Sequence, residues 1–129
     1  MYEVVIAVDR NEDRAVAVAE AVAGLPAAAE SVHATILHDF TDNPQGASVG
    51  QVAAVRRATD ILDAAGIDTT LAESSGDPGR EIVELADELD ADLICIGGRK
   101  RSPAGKALFG SVTQDVFLGT QRPVLLCSA

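Results

Sequence analysis

A chain of 129 residues, 47% of them hydrophobic and 23% charged, has the size and composition of one globular domain with an ordinary buried core. Its formal net charge of -10, from twenty Asp and Glu against ten Lys and Arg, disfavours nucleic acid and slows approach to anionic membranes. No apolar stretch approaches the roughly 18 residues of a transmembrane helix, and Met1-Tyr2-Glu3 opens into a strand-like run without the basic start of a signal peptide, so a cytoplasmic protein is expected.

The elements follow in alternation. Val4 to Val8 is a continuous apolar run ending at Asp9, suited to a strand buried on both faces. Asn11 to Ala23 has a helical pattern, with Asn11 as N-cap and Ala15, Val18, Ala19 and Val22 on one face; Gly24-Leu25-Pro26 ends it. Ser31 to His38 is the second strand, with His33 at a polar strand position and His38 at the C-terminal end. Asp39 to Ser48, carrying Asp42, Asn43, Pro44 and Gly46, is turn chemistry in a long connection.

Val49 to Ala65 is the second helix, with Val52, Val55, Ala58 or Thr59, and Leu62 at helical spacing and Gly66 just beyond its end. Ile67 to Glu73 alternates apolar and polar residues, as expected of a strand near an edge. Pro78 suits the first turn of the third helix, which uses Ile82, Val83, Leu85, Ala86 and Leu89. Asp92 to Ile96 is the fourth strand, Ser111 to Gly119 a fourth helix, and Pro123 to Cys127 the fifth strand. Strands alternating with helices predict an α/β protein, a doubly wound five-stranded parallel sheet with helices on both faces. The first and fourth strands are the most uniformly apolar and belong at the centre, which favours the order 3-2-1-4-5. The crevice for a ligand then lies beyond the C-termini of strands one and four, at Asp9 and Gly97.

The loop after strand four is the most informative stretch. Four of the ten basic residues, Arg99, Lys100, Arg101 and Lys106, lie between Gly97-Gly98 and Gly110-Ser111. Strand, glycines, cations and a helix start together suit an anion, most often a phosphate. The Gly105-Lys106 pair is not a P-loop, because that motif needs Gly at position 100 and Ser or Thr at 107, where Lys100 and Ala107 stand. Cys95 and Cys127 sit inside apolar runs without metal-ligand spacing and are expected as buried thiols in a reducing compartment. Only two of the ten basic residues are Lys, and such an acidic, Ala-rich composition suits a cytoplasm of very high salt, hence a salt-loving source.

These segments resemble the universal stress protein family over essentially the whole chain. V-V-I-A-V-D is similar to its first strand, I-L-H-D to its second, and G-D-P-G-R-E-I-V to its turn into the third helix. A-D-L-I-C-I-G-G is similar to its fourth strand, and G-S-V-T-Q-D-V with R-P-V-L-L-C to its last helix and strand. Nucleotide-binding members carry G-x-x-G-x(9)-G-S/T. Gly97 and Gly110-Ser111 fit that pattern, while Lys100 stands where the second glycine is expected.

The resemblance implies one adenine nucleotide, ATP with or without Mg2+, or AMP or ADP, bound as a regulatory ligand in a stress response. The implied contacts are Val8 and Asp9 near the ribose or adenine, His38 and Asp39 beside the adenine, and Ile96 and Gly97 under the nucleotide. Arg99 and Lys100 would meet the phosphates, and Gly110, Ser111, Val112 and Thr113 would cap them. Lys100 leaves an alternative open, an interaction module of the same fold that takes no nucleotide. A slow ATPase is a third reading. No nucleophile elbow, metalloprotease motif or carboxylate pair at a strand end is present in the sequence, so no catalytic residue is named. The resemblance also implies a homodimer. The wholly apolar run Val124-Leu125-Leu126-Cys127 is an uncharged edge strand that invites antiparallel pairing with a second copy, helped by Phe117 or Leu118.

Overall fold

The computed structural model describes residues 1–40, 46–98 and 110–128. The strands are β1 (Tyr2–Ala7), β2 (Val32–Asp39), β3 (Asp68–Ser74), β4 (Leu93–Gly98) and β5 (Val124–Ser128). The helices are α1 (Glu12–Ala23), the four-residue α2 (Ala28–Ser31), α3 (Ala53–Ala64), α4 (Pro78–Glu88) and α5 (Ser111–Gly119). All five strands are parallel, in the order β3-β2-β1-β4-β5. The doubly wound order expected from the two apolar runs is therefore the observed one.

The reason is visible in the two cores. Val4 and Ile6 of β1, with Cys95 of β4, pack under α1 and α3, where Val18, Val22, Val55 and Leu62 are fully buried. Val5 of β1 and Ile94 and Ile96 of β4 face the other layer, against Ile82 and Ala86 of α4 and Val116 of α5. A strand apolar at every position is stable only where both faces are covered, so β1 and β4 occupy the centre. β3 lies at one edge with Leu71 exposed and only Thr69, Ala72 and Ser74 half-buried. His33 fills a structural role, its Nδ1 2.8 Å from Glu3 Oε2 and its Nε2 2.8 Å from Thr70 Oγ1.

Local signals set most boundaries. Asn11 caps α1, its side chain accepting the Arg14 N–H at 2.9 Å, and the buried face is Ala15, Val18, Ala19 and Val22 as predicted. Gly66 follows α3 with φ +77, the left-handed turn that ends the helix. Pro78 opens α4. Arg122 ties the start of β5 to the end of α4, with bonds to Asp87, Asp90 and the Ala91 carbonyl at 2.7–3.2 Å.

Several expectations need correction. The second helix is not continuous from Val49. Val49–Gln51 is a single 3-10 turn closed by a Ser48/Gln51 capping box, and Val52 is extended (φ -77, ψ 122) before α3 begins at Ala53. Gly50 weakens the first turn, and the break turns Val52 into the core. α2 was not expected; it is one turn, entered through Ala27 at φ 53. β4 runs two residues past Ile96, through both glycines. Cys95 is buried, but Cys127 is only half-buried, because β5 is an edge strand. The turn residues Asp42, Asn43 and Pro44 lie outside the described residues.

Candidate binding cleft

β1 and β4 are neighbours, with Ala7 level with Ile96. Beyond that point the chain leaves them in opposite directions. β1 feeds α1 on one face of the sheet, while the residues after β4 lead to α5 on the other. Diverging connections open a crevice at the C-terminal edge of the sheet. It is a cleft of about 280 Å3. Its floor is Ala7, Val8, Leu37, Ile96, Gly97 and Gly98; Asp9, Arg14 and Ala15 form one wall, and Pro78, Ile82 and the residues from Gly110 to Thr113 form the other.

The α1 wall is organised by a short polar chain. Asp9 Oδ1 accepts the backbone N–H of Asn11 at 2.9 Å, and Asp9 Oδ2 accepts Arg14 Nη1 at 2.8 Å. Asp9 therefore does not cap the helix itself; Asn11 does, and it thereby fixes Arg14 in the first turn. The two glycines are explained by side chains of this chain. A Cβ on Gly97 would lie 2.7 Å from Arg14 Cβ, so the Arg14 stem lies flat on the end of β4. A Cβ on Gly98, on the opposite face, would lie 2.5 Å from Leu126 Cδ1.

The α5 wall supplies donors. The first bond within the helix is Gln114 N–H to the Gly110 carbonyl. The N–H groups of Ser111, Val112 and Thr113 thus lie in the first turn with no intrahelical acceptor, and Gly110 brings no side-chain cap. Such a turn carries a partial positive charge toward the cleft.

At the end of β2, Ser74 Oγ donates to Asp39 Oδ2 at 2.7 Å. Asp39 Oδ1 is buried and has no hydrogen-bond partner among the described residues. His38 points away from the main cleft. It is 3% exposed, its Nδ1–H donates to the Val8 carbonyl at 2.7 Å, and its ring meets Phe40 edge-on at 4.6 Å. It lines a shallow neighbouring recess with Asp9, Arg10, Asn11, Arg14, Asp39 and Phe40. Burial, with a smaller contribution from Cys127, pushes the Cys95 thiol up to about 12. Among the described residues no group of three His, Cys, Asp or Glu stands close enough to hold a metal ion.

Of the residues singled out in the sequence, Val8, Asp9, Asp39, Ile96, Gly97, Gly110, Ser111, Val112 and Thr113 line the cleft together. His38 does not, and Arg99 and Lys100 lie outside the described residues. Sequence reasoning missed Arg14. The signal was available, because Arg14 is the third residue after the N-cap and so faces back over the strand end from which the helix starts. It also missed Ala7, Ala15, Leu37 and Ile82, apolar residues that read as core, Pro78, which read only as the opening of a helix, and Gly98.

A parallel sheet of this order, with a polar and glycine-lined crevice at its switch point, defines a doubly wound α/β protein, a class in which ligands sit beyond the strand C-termini. The sequence profile of the universal stress protein family matches residues 1–128, and the chain belongs to that family. A universal stress protein of Archaeoglobus fulgidus superposes with a TM-score of 0.78 at 32% identity, over 98% of each chain. A universal stress protein solved in complex with cAMP gives 0.73 at 32% identity, over 98% of this chain and 95% of the other. Another Archaeoglobus fulgidus member, in complex with dAMP, gives 0.73 at 27% identity, over 98% of each. Two stress proteins, of Mycolicibacterium smegmatis and Bacillus subtilis, align at 45% and 37% identity over 49 and 51 residues. Those matches span 38% and 31% of their respective lengths. No helix among the described residues is long and apolar enough to cross a membrane.

Proposed function

We propose that the chain is a single universal stress protein domain whose cleft takes an adenine nucleotide, ATP or its mono- or diphosphate, as a regulatory ligand. The observation that carries this reading is the convergence of Asp9, Gly97 and the open first turn of α5 on one crevice of about 280 Å3. That is near the lower end of the roughly 300–1,000 Å3 typical of ligand pockets. The cAMP and dAMP complexes of similar proteins support an adenine ligand. Asp9 would accept a ribose hydroxyl, the N–H groups of Ser111 to Thr113 would receive phosphate oxygens, and Ile96 and Leu37 would cover the base. Mg2+ would then arrive with the phosphate oxygens and retain several of its own waters. The test is calorimetry of ATP, ADP and AMP with magnesium, in low and in high salt, the latter matching the acidic composition. Absence of binding to the folded protein in every case refutes the reading.

The rival module reading keeps one specific motivation, Lys100 at the position of the second motif glycine. It expects the cleft to refuse nucleotides and Lys100→Gly to admit them; loss of binding in that variant would instead make Lys100 a working contact.

We further propose a cytoplasmic homodimer that pairs β5 with β5 of a second copy. The support is an edge strand without a charged residue, together with exposed apolar side chains on α5. Leu125 and Leu126 are about one-third exposed (36% and 37%), and Phe117 and Leu118 on the adjoining helix are 68% and 81% exposed. Sedimentation of the native protein should show a dimer and Leu125→Lys should weaken it; a native monomer at micromolar concentration ends the idea.

A further inference from the structure

We propose that Arg14 is the residue by which the cleft distinguishes a phosphorylated nucleoside from the bare nucleoside, through guanidinium nitrogens not used in holding Asp9. The inference rests on the nucleotide reading of the cleft.

Arg14 is the one basic side chain lining the cleft among the described residues. Its position is not that of a freely moving surface arginine. The backbone N–H is fixed by the Asn11 cap, the stem lies so close on Gly97 that a Cβ there would be 2.7 Å from Arg14 Cβ, and Nη1 is bonded to Asp9 at 2.8 Å. A guanidinium carries five donors in a planar fork. Here Nη1 is bonded, while Nε and Nη2 have no hydrogen-bond partner among the described residues. The side chain is 30% exposed, enough to present those donors to the crevice while losing little freedom when they engage.

The charge balance leads to the same conclusion. Asp9 is a full carboxylate at the rim of a site proposed for an anion, in a protein of net charge -10. Alone it would oppose a phosphate. A cation bonded to it neutralises that opposition while leaving each carboxylate oxygen a lone pair for a ribose hydroxyl. The ribose and its nearest phosphate are joined through one carbon, so a ligand whose sugar meets Asp9 brings that phosphate within reach of the same guanidinium. Arg14 stands across the cleft from the first turn of α5, and an oxyanion between them would be met from both sides.

The experiment titrates adenosine, AMP and ATP into the native protein, Arg14→Gln, Arg14→Met and the Asp9→Asn, Arg14→Gln double variant by calorimetry. Thermal unfolding of each variant shows that it is folded. Arg14→Met keeps the stem on Gly97 and removes only the charged fork, so it carries the reading should Arg14→Gln unfold. The expected result is a fall in the AMP-to-adenosine affinity ratio of roughly 10- to 100-fold, the worth of one hydrogen bond to a charged group. Adenosine binding should stay within about twofold, and the fall should persist in the double variant. A native ratio in the Arg14 variants overturns the proposal and leaves the nucleotide reading standing. Equal loss of adenosine and AMP, or recovery of the ratio in the double variant, overturns it by showing that Arg14 acts only through Asp9. A native protein that binds none of the three ligands refutes the nucleotide reading itself, and this proposal with it.

Discussion

Alanine at Gly98 would place a methyl carbon 2.5 Å from Leu126 Cδ1, 2.8 Å from its Cγ and 3.2 Å from its Cδ2. Two of these are well inside contact distance, and the Cγ cannot move without a change of rotamer or a shift of β5. Gly98 has no left-handed φ, so the objection to a side chain is space and not backbone conformation. Forcing a methylene-sized group into a packed contact costs about 1–3 kcal/mol. The lower half of that range is expected, because Leu126 is 37% exposed and can swing outward. For a chain of this length the melting temperature should then fall by roughly 3–8 °C. The decisive assay is a double-mutant cycle by urea unfolding with Gly98→Ala, Leu126→Ala and the pair. Truncating Leu126 vacates the volume that the new methyl needs, so the pair should be more stable than the sum of the singles predicts, by about 1 kcal/mol or more. A cost of Gly98→Ala that is the same with and without the Leu126 side chain would refute the packing argument.

Three further outcomes follow from the same contacts. Asn11→Ala removes the N-cap of α1 and should cost about 1 kcal/mol by urea unfolding; because the cap also places Arg14, it should weaken AMP binding more than adenosine binding in the calorimeter. Ser74→Ala leaves the Asp39 carboxylate without the one hydrogen bond it makes among the described residues and should destabilise by about 1–3 kcal/mol, and an unchanged urea midpoint would contradict the accounting. Cys95, buried and raised from 9.0 to about 12, should resist thiol reagents at pH 8 in the folded protein, while half-buried Cys127, also raised by burial, reacts slowly and both react on unfolding. The folded state holds the Cys95 proton more tightly than the unfolded chain does. Its contribution to stability is therefore complete below pH 9 and is lost as pH rises toward 12, which urea midpoints measured across that window will show.

Much of this protein follows from local pattern. The runs Val4 to Val8 and Leu93 to Ile96 are apolar at every position, and only a strand covered on both faces can bury them. Two such strands belong side by side at the centre, and right-handed crossovers then favour the order observed. Asn11, Pro78 and Gly66 mark helix ends through chemistry confined to a few residues, so they were legible without knowledge of the rest of the chain. The location of the crevice is legible for the same reason, since it is a consequence of strand order.

What only the tertiary structure decided is the assignment of individual side chains at that crevice, because it depends on neighbours distant in sequence. Gly97 read as a place for a ligand and lines the cleft, but the side chains packed against it and its neighbour, Arg14 from α1 on Gly97 and Leu126 from β5 on Gly98, were not legible. His38 read as a site residue, and proved to be buried on the Val8 carbonyl thirty residues earlier. Asp9 read as a ligand contact; that its carboxylate is held by the Asn11 N–H and Arg14 was not legible. Val49 to Val52 carried a helical pattern, yet the core drew Val52 inward and broke the helix. A local pattern sets what a segment prefers. Which side chain fills a given space is set by whatever the fold brings against it, and for a parallel sheet those partners are one crossover or more away along the chain.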